Sequence, residues 1–262
     1  MEIVEETTER GVVERRFDLN VDGEIVPGIH WLPEGEVAPH PTVLIGHGGS
    51  QHKRVPNVLG LARTLVRHCG YGAVALDAPG HGDRMTEAQR QARAELLTSR
   101  QEGRPVPASF DRARALDMFA PKAVAEWKAL LDDLASNAMW AAGPYGYWGV
   151  SMGTAFGVPL LAVEPRISAA VLGLGALRSD DDVRRTQAAS ITIPILFLFQ
   201  SDDELMTREG GLALWDSFGS SEKTLHLNPG PHVGVPLFER QAAVAFFRRH
   251  FEPATTEAAP AT

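Results

Sequence analysis

The sequence predicts an α/β protein. Its expected core is a mostly parallel sheet of about eight strands, entered through an N-terminal antiparallel hairpin and flanked by helices. Three observations carry this reading. Short, near-continuous apolar runs such as TVLIGH (42–47) and IPILFLFQ (193–200) alternate with longer segments of helical spacing, as in a parallel sheet covered on both faces. An Asp22-Gly23 pair separates two strand-like pieces near the start, a hairpin signal. No internal repeat interrupts the alternation.

The elements follow in order. VVERRFDLNVDGEIVPGIHWLP (12–33) supplies the hairpin, and TVLIGH is a buried strand. VLGLARTLVRHCG (58–70) has apolar residues at helical spacing and stops at Gly70. GAVALDAPGHGD (72–83) runs from strand into loop. Residues 118–137 read as a helix with Pro121 in its first turn, where its missing N–H is harmless. YGYWGV (145–150) is a strand, and SMGTAFGVPLLAVEP (151–165) a helix. Strands at 167–175 and 193–200 bracket a short helix. A helix at 207–218, a strand at 222–228 and an amphipathic helix at 235–250 complete the pattern. Residues 1–251 are expected to form one domain, and the Pro-, Ala- and Thr-rich 252–262 a flexible tail. Residues 84–117 break the rhythm, being polar, Arg-rich and inserted between a strand and its helix. They are expected to be a helical lid or cap insertion, since insertions of this length are often functional.

Composition narrows the partners. A formal net charge of -8 argues against nucleic acid or an anionic membrane as the main partner. No apolar run approaches the roughly 20 residues that span a bilayer. The acidic start, MEIVEETTERG, is neither a secretory signal nor a transit peptide. Cys69 is the sole cysteine, so no intrachain disulfide can form, and a cytoplasmic protein is expected. With neither metal-ligand spacing nor a dinucleotide fingerprint, no cofactor or metal is expected. Oligomeric state stays open.

The chemistry centres on Gly149-Val150-Ser151-Met152-Gly153. A strand runs into the serine and a helix leaves it. Glycines two before and two after remove the side chains that would clash in so tight a turn. Ser151 is therefore the candidate nucleophile, at a helix N-terminus that favours developing negative charge. A serine needs a base. His232, in the Pro/Gly-rich loop NPGPHVG after the last strand, has no packing reason to be there and is the candidate. His226, inside a strand, and His250, at a helix end, are read as structural. The strand IPILFLFQ delivers Asp202 and Asp203 to its carboxyl end. Asp203 is the chosen orienting acid, with Asp202 as the alternative, and the Asp180–Asp182 triplet is read as a helix start. His47-Gly48-Gly49 ends another buried strand, and backbone N–H groups there can reach a substrate oxygen. The Gly49 and Met152 N–H groups are the candidate oxyanion donors, with Ser50 as the alternative to Gly49.

Together these residues resemble the α/β-hydrolases over roughly 12–250. The order Ser151, Asp203, His232 matches that family's order of nucleophile, acid and base. GVSMG resembles its nucleophile elbow, HGG its oxyanion loop, and DAPGHGDR (77–84) the turn after its next strand, where Asp77 and His81 read as structural. Within the family the chain resembles the serine esterases and the dienelactone-hydrolase-like group, although dienelactone hydrolases themselves use cysteine where Ser151 stands. The resemblance implies a serine hydrolase that cleaves a small carboxylic ester through an acyl-enzyme, the same residues also serving thioester, amide or carbon–carbon cleavage. A non-catalytic binding protein would have no need of all three. The family's usual cap follows a later strand than 84–117, so its substrate clues do not transfer. The arginines of 84–117, with Lys53 and Arg54, are a further expected contact for an anionic substrate group.

Overall fold

The computed structural model describes residues 1–35, 39–102, 112–136 and 142–252. Among these residues nine strands form one sheet: β1 (Glu2–Glu9), β2 (Val12–Val21), β3 (Glu24–Pro33), β4 (His40–Gly46), β5 (Gly72–Leu76), β6 (Ala142–Val150), β7 (Ile167–Gly173), β8 (Ile195–Gln200) and β9 (Lys223–Asn228). Their spatial order is β1-β2-β3-β5-β4-β6-β7-β8-β9. The pairs from β1 to β3, and β3 with β5, are antiparallel, and all others are parallel. Asp22 (φ 51°) and Gly23 (φ 86°) turn β2 into β3, both positive as a two-residue hairpin of primed type requires.

The helices are α1 (Pro56–Cys69), α2 (Glu87–Gln101), α3 (Arg112–Ser136), α4 (Met152–Leu161), α5 (Asp182–Ser190), α6 (Arg208–Ser217) and α7 (Phe238–Phe251). Side chains alternate across the buried strands, so each strand feeds two cores. Val43 and Ile45 of β4 pack with Leu61 and Leu65 of α1 and Phe247 of α7. Leu44, between them, packs on the opposite face with Trp127 and Leu130 of α3 and Val158 of α4. Among the described residues no helix is long and apolar enough to cross a membrane.

Two elements differ from expectation. Strand β1 was not foreseen, because all eight of its residues are exposed and no apolar alternation marks it. It is held by its ladder to β2 and by cross-strand ion pairs, Arg15 to Glu6 at 2.6 Å and Arg16 to Glu5 at 2.8 Å. Helix α3 begins at Arg112, not near 118, so Pro121 lies inside it. Leu116, Phe119, Ala120 and Ala123 find apolar partners in Met152 and Phe156 of α4. That tertiary packing offsets the hydrogen bond Pro121 cannot make.

The segment expected as a lid divides. Gly82–Arg84 is a short 3-10 turn, Glu87–Gln101 is α2, and 112–117 opens α3, while 103–111 lie outside the described residues. So does most of the expected tail, 253–262. The segment's Arg90 pairs with Glu87 at 2.9 Å.

Candidate active site

The sheet order sets the position of the site. From β4 the chain passes to β5 on one side and then returns across to β6 on the other. The carboxyl ends of β4 and β6 therefore border a crevice at the switch in strand order. Val150 ends β6 and Ser151 follows it, while Gly46 ends β4 and His47 follows.

Ser151 sits at φ 58°, ψ -113°. For a serine this backbone is strained by roughly 1–3 kcal/mol and persists only where the surroundings over-determine it. They do so here. The Ser151 N–H donates to the Gly173 carbonyl at 2.8 Å. Tyr147 donates its hydroxyl to the Gly153 carbonyl at 2.7 Å. The Thr154 hydroxyl accepts the Gly173 N–H at 2.9 Å and lies 2.9 Å from the Gly149 carbonyl and 2.5 Å from that of Gly173, to one of which it donates. A Cβ on Gly149 would lie 2.8 Å from the Gly153 carbonyl, and one on Gly153 only 2.5 Å from the Gly46 oxygen. Strand and helix can approach this closely only without those side chains.

His232 and Asp203 arrive from the ends of β9 and β8. His232 Nε2 is 2.9 Å from Ser151 Oγ, and His232 Nδ1 is 2.8 Å from Asp203 Oδ2. An ionised carboxylate only accepts, so Nδ1 carries the hydrogen and Nε2 is left to accept from the serine. The Asp203 side chain is 1% exposed and that of His232 is 5%. The other Asp203 oxygen takes the N–H groups of Leu205 and Met206 at 2.8 and 2.9 Å. Asp202 is exposed and instead accepts the Gly230 N–H at 2.8 Å. Neighbouring carboxylates thus divide the work: one meets the histidine ring, the other anchors the histidine's loop.

The loop after β4 is a turn in which Gln51 N–H donates to the Gly48 carbonyl at 3.2 Å and Gly48 N–H donates to Gln51 Oε1 at 3.0 Å. This leaves Gly49 and Ser50, the latter at φ 60°, as the central residues. Met152 is the first residue of α4, so its N–H has no acceptor within the helix. His47 Nδ1 donates to the Gly48 carbonyl at 2.9 Å, and Nε2 accepts the Ala78 N–H at 3.0 Å. Burial lowers its pKa to about 4, so it stays neutral and can accept. Behind the elbow, His47, Glu126, Tyr147, Gly153 and Phe156 help enclose a cavity of about 10 Å³. That is room for about one water.

The remaining sequence assignments fall elsewhere. His226 pairs with Glu239 at 2.9 Å, and Asp181 caps α5 by accepting the Arg184 N–H at 3.1 Å. Of the expected anion contacts, Arg54 pairs with Glu14, Arg84 with Glu126, and Lys53 with Asp77 and Asp83, while Arg104 lies outside the described residues. Sequence reasoning missed Thr154, Tyr147 and Glu204, whose Oε2 accepts the His232 N–H at 2.9 Å. Thr154 and Tyr147 flank the glycine motif, and that proximity was the one available signal. Among the described residues no cluster of His, Cys, Asp and Glu is arranged to hold a metal.

A parallel sheet with an antiparallel entry and a serine elbow at the switch point is the architecture of an α/β-hydrolase. No protein-family model matches the chain, and no curated protein does. Solved structures do. A PEG-bound cold-adapted esterase from an Arctic intertidal metagenomic library is 33% identical, with 96% of this chain and all of that one covered and a TM-score of 0.77. A dienelactone hydrolase from Anabaena variabilis is 17% identical over 92% of this chain and 100% of its own, with a TM-score of 0.64. An acetyl xylan esterase from Paenibacillus sp. R4 is 16% identical over 95% of this chain and 88% of its own, at 0.68. The chain belongs to the esterase group of the α/β-hydrolase superfamily.

Proposed function

We propose that this protein hydrolyses small carboxylic esters through an acyl-enzyme on Ser151. The observation that carries the reading is the unbroken hydrogen-bond chain Asp203–His232–Ser151, at 2.8 and 2.9 Å. Ser151 Oγ attacks the ester carbonyl as its proton passes to His232 Nε2. Asp203 keeps the Nδ1–H tautomer and stabilises the imidazolium that forms. The Gly49 and Met152 N–H groups receive the oxyanion, with Ser50 as the alternative to Gly49. Gly48 is unsuited, because its own N–H is spent on Gln51. The imidazolium protonates the leaving alkoxide. Water, deprotonated by His232, then attacks the acyl carbon and frees Ser151.

A fluorophosphonate probe and a series of p-nitrophenyl esters of increasing chain length test this, with thioester and anilide substrates alongside. Ser151 should be labelled, and His232→Ala should lose about 10³-fold or more in kcat while keeping its fold. An unlabelled Ser151 in folded protein, or near-wild-type turnover by His232→Ala, refutes the mechanism. Faster cleavage of thioesters or anilides than of esters reassigns the substrate.

A further inference from the structure

The loop that carries the candidate oxyanion donors is fixed from below by a charge cluster, its Lys53–Asp77 pair buried and its Asp83 exposed, with no direct part in the proposed chemistry. Lys53 lies at the end of that loop and is 3% exposed, and Asp77, the first residue after β5, is fully buried. Asp77 Oδ1 accepts the Lys53 backbone N–H at 2.9 Å. Asp77 Oδ2 accepts the Lys53 ammonium at 2.5 Å and the Asp83 N–H at 2.9 Å. Asp83 closes the cluster, 2.6 Å from Lys53 Nζ. One carboxylate thereby holds both the backbone and the side chain of the residue that ends the loop.

The other end of the loop is fixed to the same place. His47 accepts the N–H of Ala78, the residue next to Asp77. The segment from His47 to Lys53 is therefore pinned at both ends to 77–78, and the donors Gly49 and Ser50 sit on the arch between. Asp77 is itself anchored, since its N–H donates to the Pro27 carbonyl at 3.0 Å and its carbonyl accepts from Arg84 at 3.1 Å. Arg84 in turn meets Glu126 of α3 through two bonds of 2.7 Å. Ser50, at φ 60°, would relax to a commoner conformation if the ends were free to move.

Oxyanion donors work by being fixed in advance within about 2.7–3.1 Å of the developing charge. We propose that Lys53, clamped by Asp77 and Asp83, is a positioning residue that sets the oxyanion donors of the 47–53 loop. It acts through the backbone of that loop and touches no substrate. Two carboxylates, those of Asp77 and Asp83, stand where water would otherwise meet the buried ammonium. The inference rests on the Ser151 mechanism above.

Two variants test it. Asp77→Asn keeps the shape and removes one charge, leaving the Lys53 ammonium with Asp83 as its charged partner, and the double variant Lys53→Met with Asp77→Asn removes both charges of the buried contact. Each is measured for kcat and KM on p-nitrophenyl butyrate, for its pH–rate profile, and for inhibition by a trifluoromethyl ketone, whose hemiketal places an oxyanion in the hole. In folded protein, kcat should fall about 10–100-fold with KM within about threefold, as expected when oxyanion donors shift without being lost. The ketone Ki should rise in proportion to the loss in kcat/KM, and the shape of the pH profile should be unchanged. The proposal is overturned if folded variants keep kcat within twofold, if the loss lies in KM, or if the ketone Ki does not move. Ser151→Ala, run in parallel, separates the two readings. Its retaining activity would sink the mechanism itself. Its inactivity beside wild-type kcat in the double variant would sink only the clamp.

Discussion

Gly153→Ala probes the link between packing and chemistry most directly. The added Cβ would stand 2.5 Å from the Gly46 carbonyl oxygen, where ordinary contact begins at about 3.4 Å. Both partners are backbone, so no rotamer change relieves the clash. The start of α4 and the end of β4 must part by about 0.9 Å. Gly46 leads into the His47–Gly49 donors, and Gly153 stands two residues from Ser151. The displacement therefore separates nucleophile from oxyanion donors along the line that matters. Misplacement by about 1 Å costs about 10²-fold in rate, so kcat/KM should fall by roughly 10–100-fold. Overpacking of this kind should also destabilise the fold by about 1–3 kcal/mol. The assay is p-nitrophenyl acetate hydrolysis beside a urea unfolding curve. Gly11→Ala is the control. It sits at φ 78° with no atom within 4 Å of the added Cβ, far along the chain from the site. It should lose about 1–2 kcal/mol to backbone strain with activity unchanged. If Gly153→Ala keeps kcat/KM within twofold of wild type, the argument that these glycines hold the two loops in register is wrong.

Other consequences are open to simpler tests. Thr154→Val keeps the shape but removes the hydroxyl shared by Gly149 and Gly173, so it should cost about 1–3 kcal/mol in urea unfolding as buried backbone groups lose their partner. Stability unchanged within error would remove Thr154 from the support of the elbow. His30 and His47 are held neutral by burial, with pKa values lowered to about 3 and about 4. In the unfolded chain a histidine titrates near 6.5. Below that pH the unfolded state takes up protons that the folded state refuses, so stability present at pH 7 is lost as pH falls from about 6.5 toward 4. Each histidine contributes up to about 1.4 kcal/mol per pH unit. Urea midpoints at pH 7, 6 and 5 should fall, and a flat profile would contradict the burial of neutral imidazoles.

Much of this molecule was legible in one dimension because its causes are local. A strand buried on both faces needs a near-continuous apolar run, and TVLIGH and IPILFLFQ satisfy that wherever they lie. A strand that turns into a helix within one residue needs glycines on either side of Ser151, and the steric reason can be stated without knowing the neighbours. Candidates drawn from strand ends come together for the same reason, with His232 within hydrogen-bond distance of both Ser151 and Asp203: a parallel sheet gathers its carboxyl ends on one edge. Where the cause was not local, the sequence was silent. Strand β1 carries no apolar period because its stability comes from a ladder and ion pairs to β2. Helix α3 starts early, at Arg112 ahead of Pro121, because Leu116, Phe119, Ala120 and Ala123 pack against α4.

The choice between Asp202 and Asp203 could not be read from adjacent residues of one type. Which of them faces His232 depends on how the loop after β8 meets a loop 29 residues later. Lys53 carried the same ambiguity. Its charge is plain in the sequence and invited a substrate contact, yet the fold turns it inward to Asp77. The sequence by itself determined which segments must be buried and where a reactive turn could form, since hydrophobic period and short-range sterics act between near neighbours. Tertiary structure alone decided which charges meet, because a carboxylate and its partner are matched by the relative placement of whole strands.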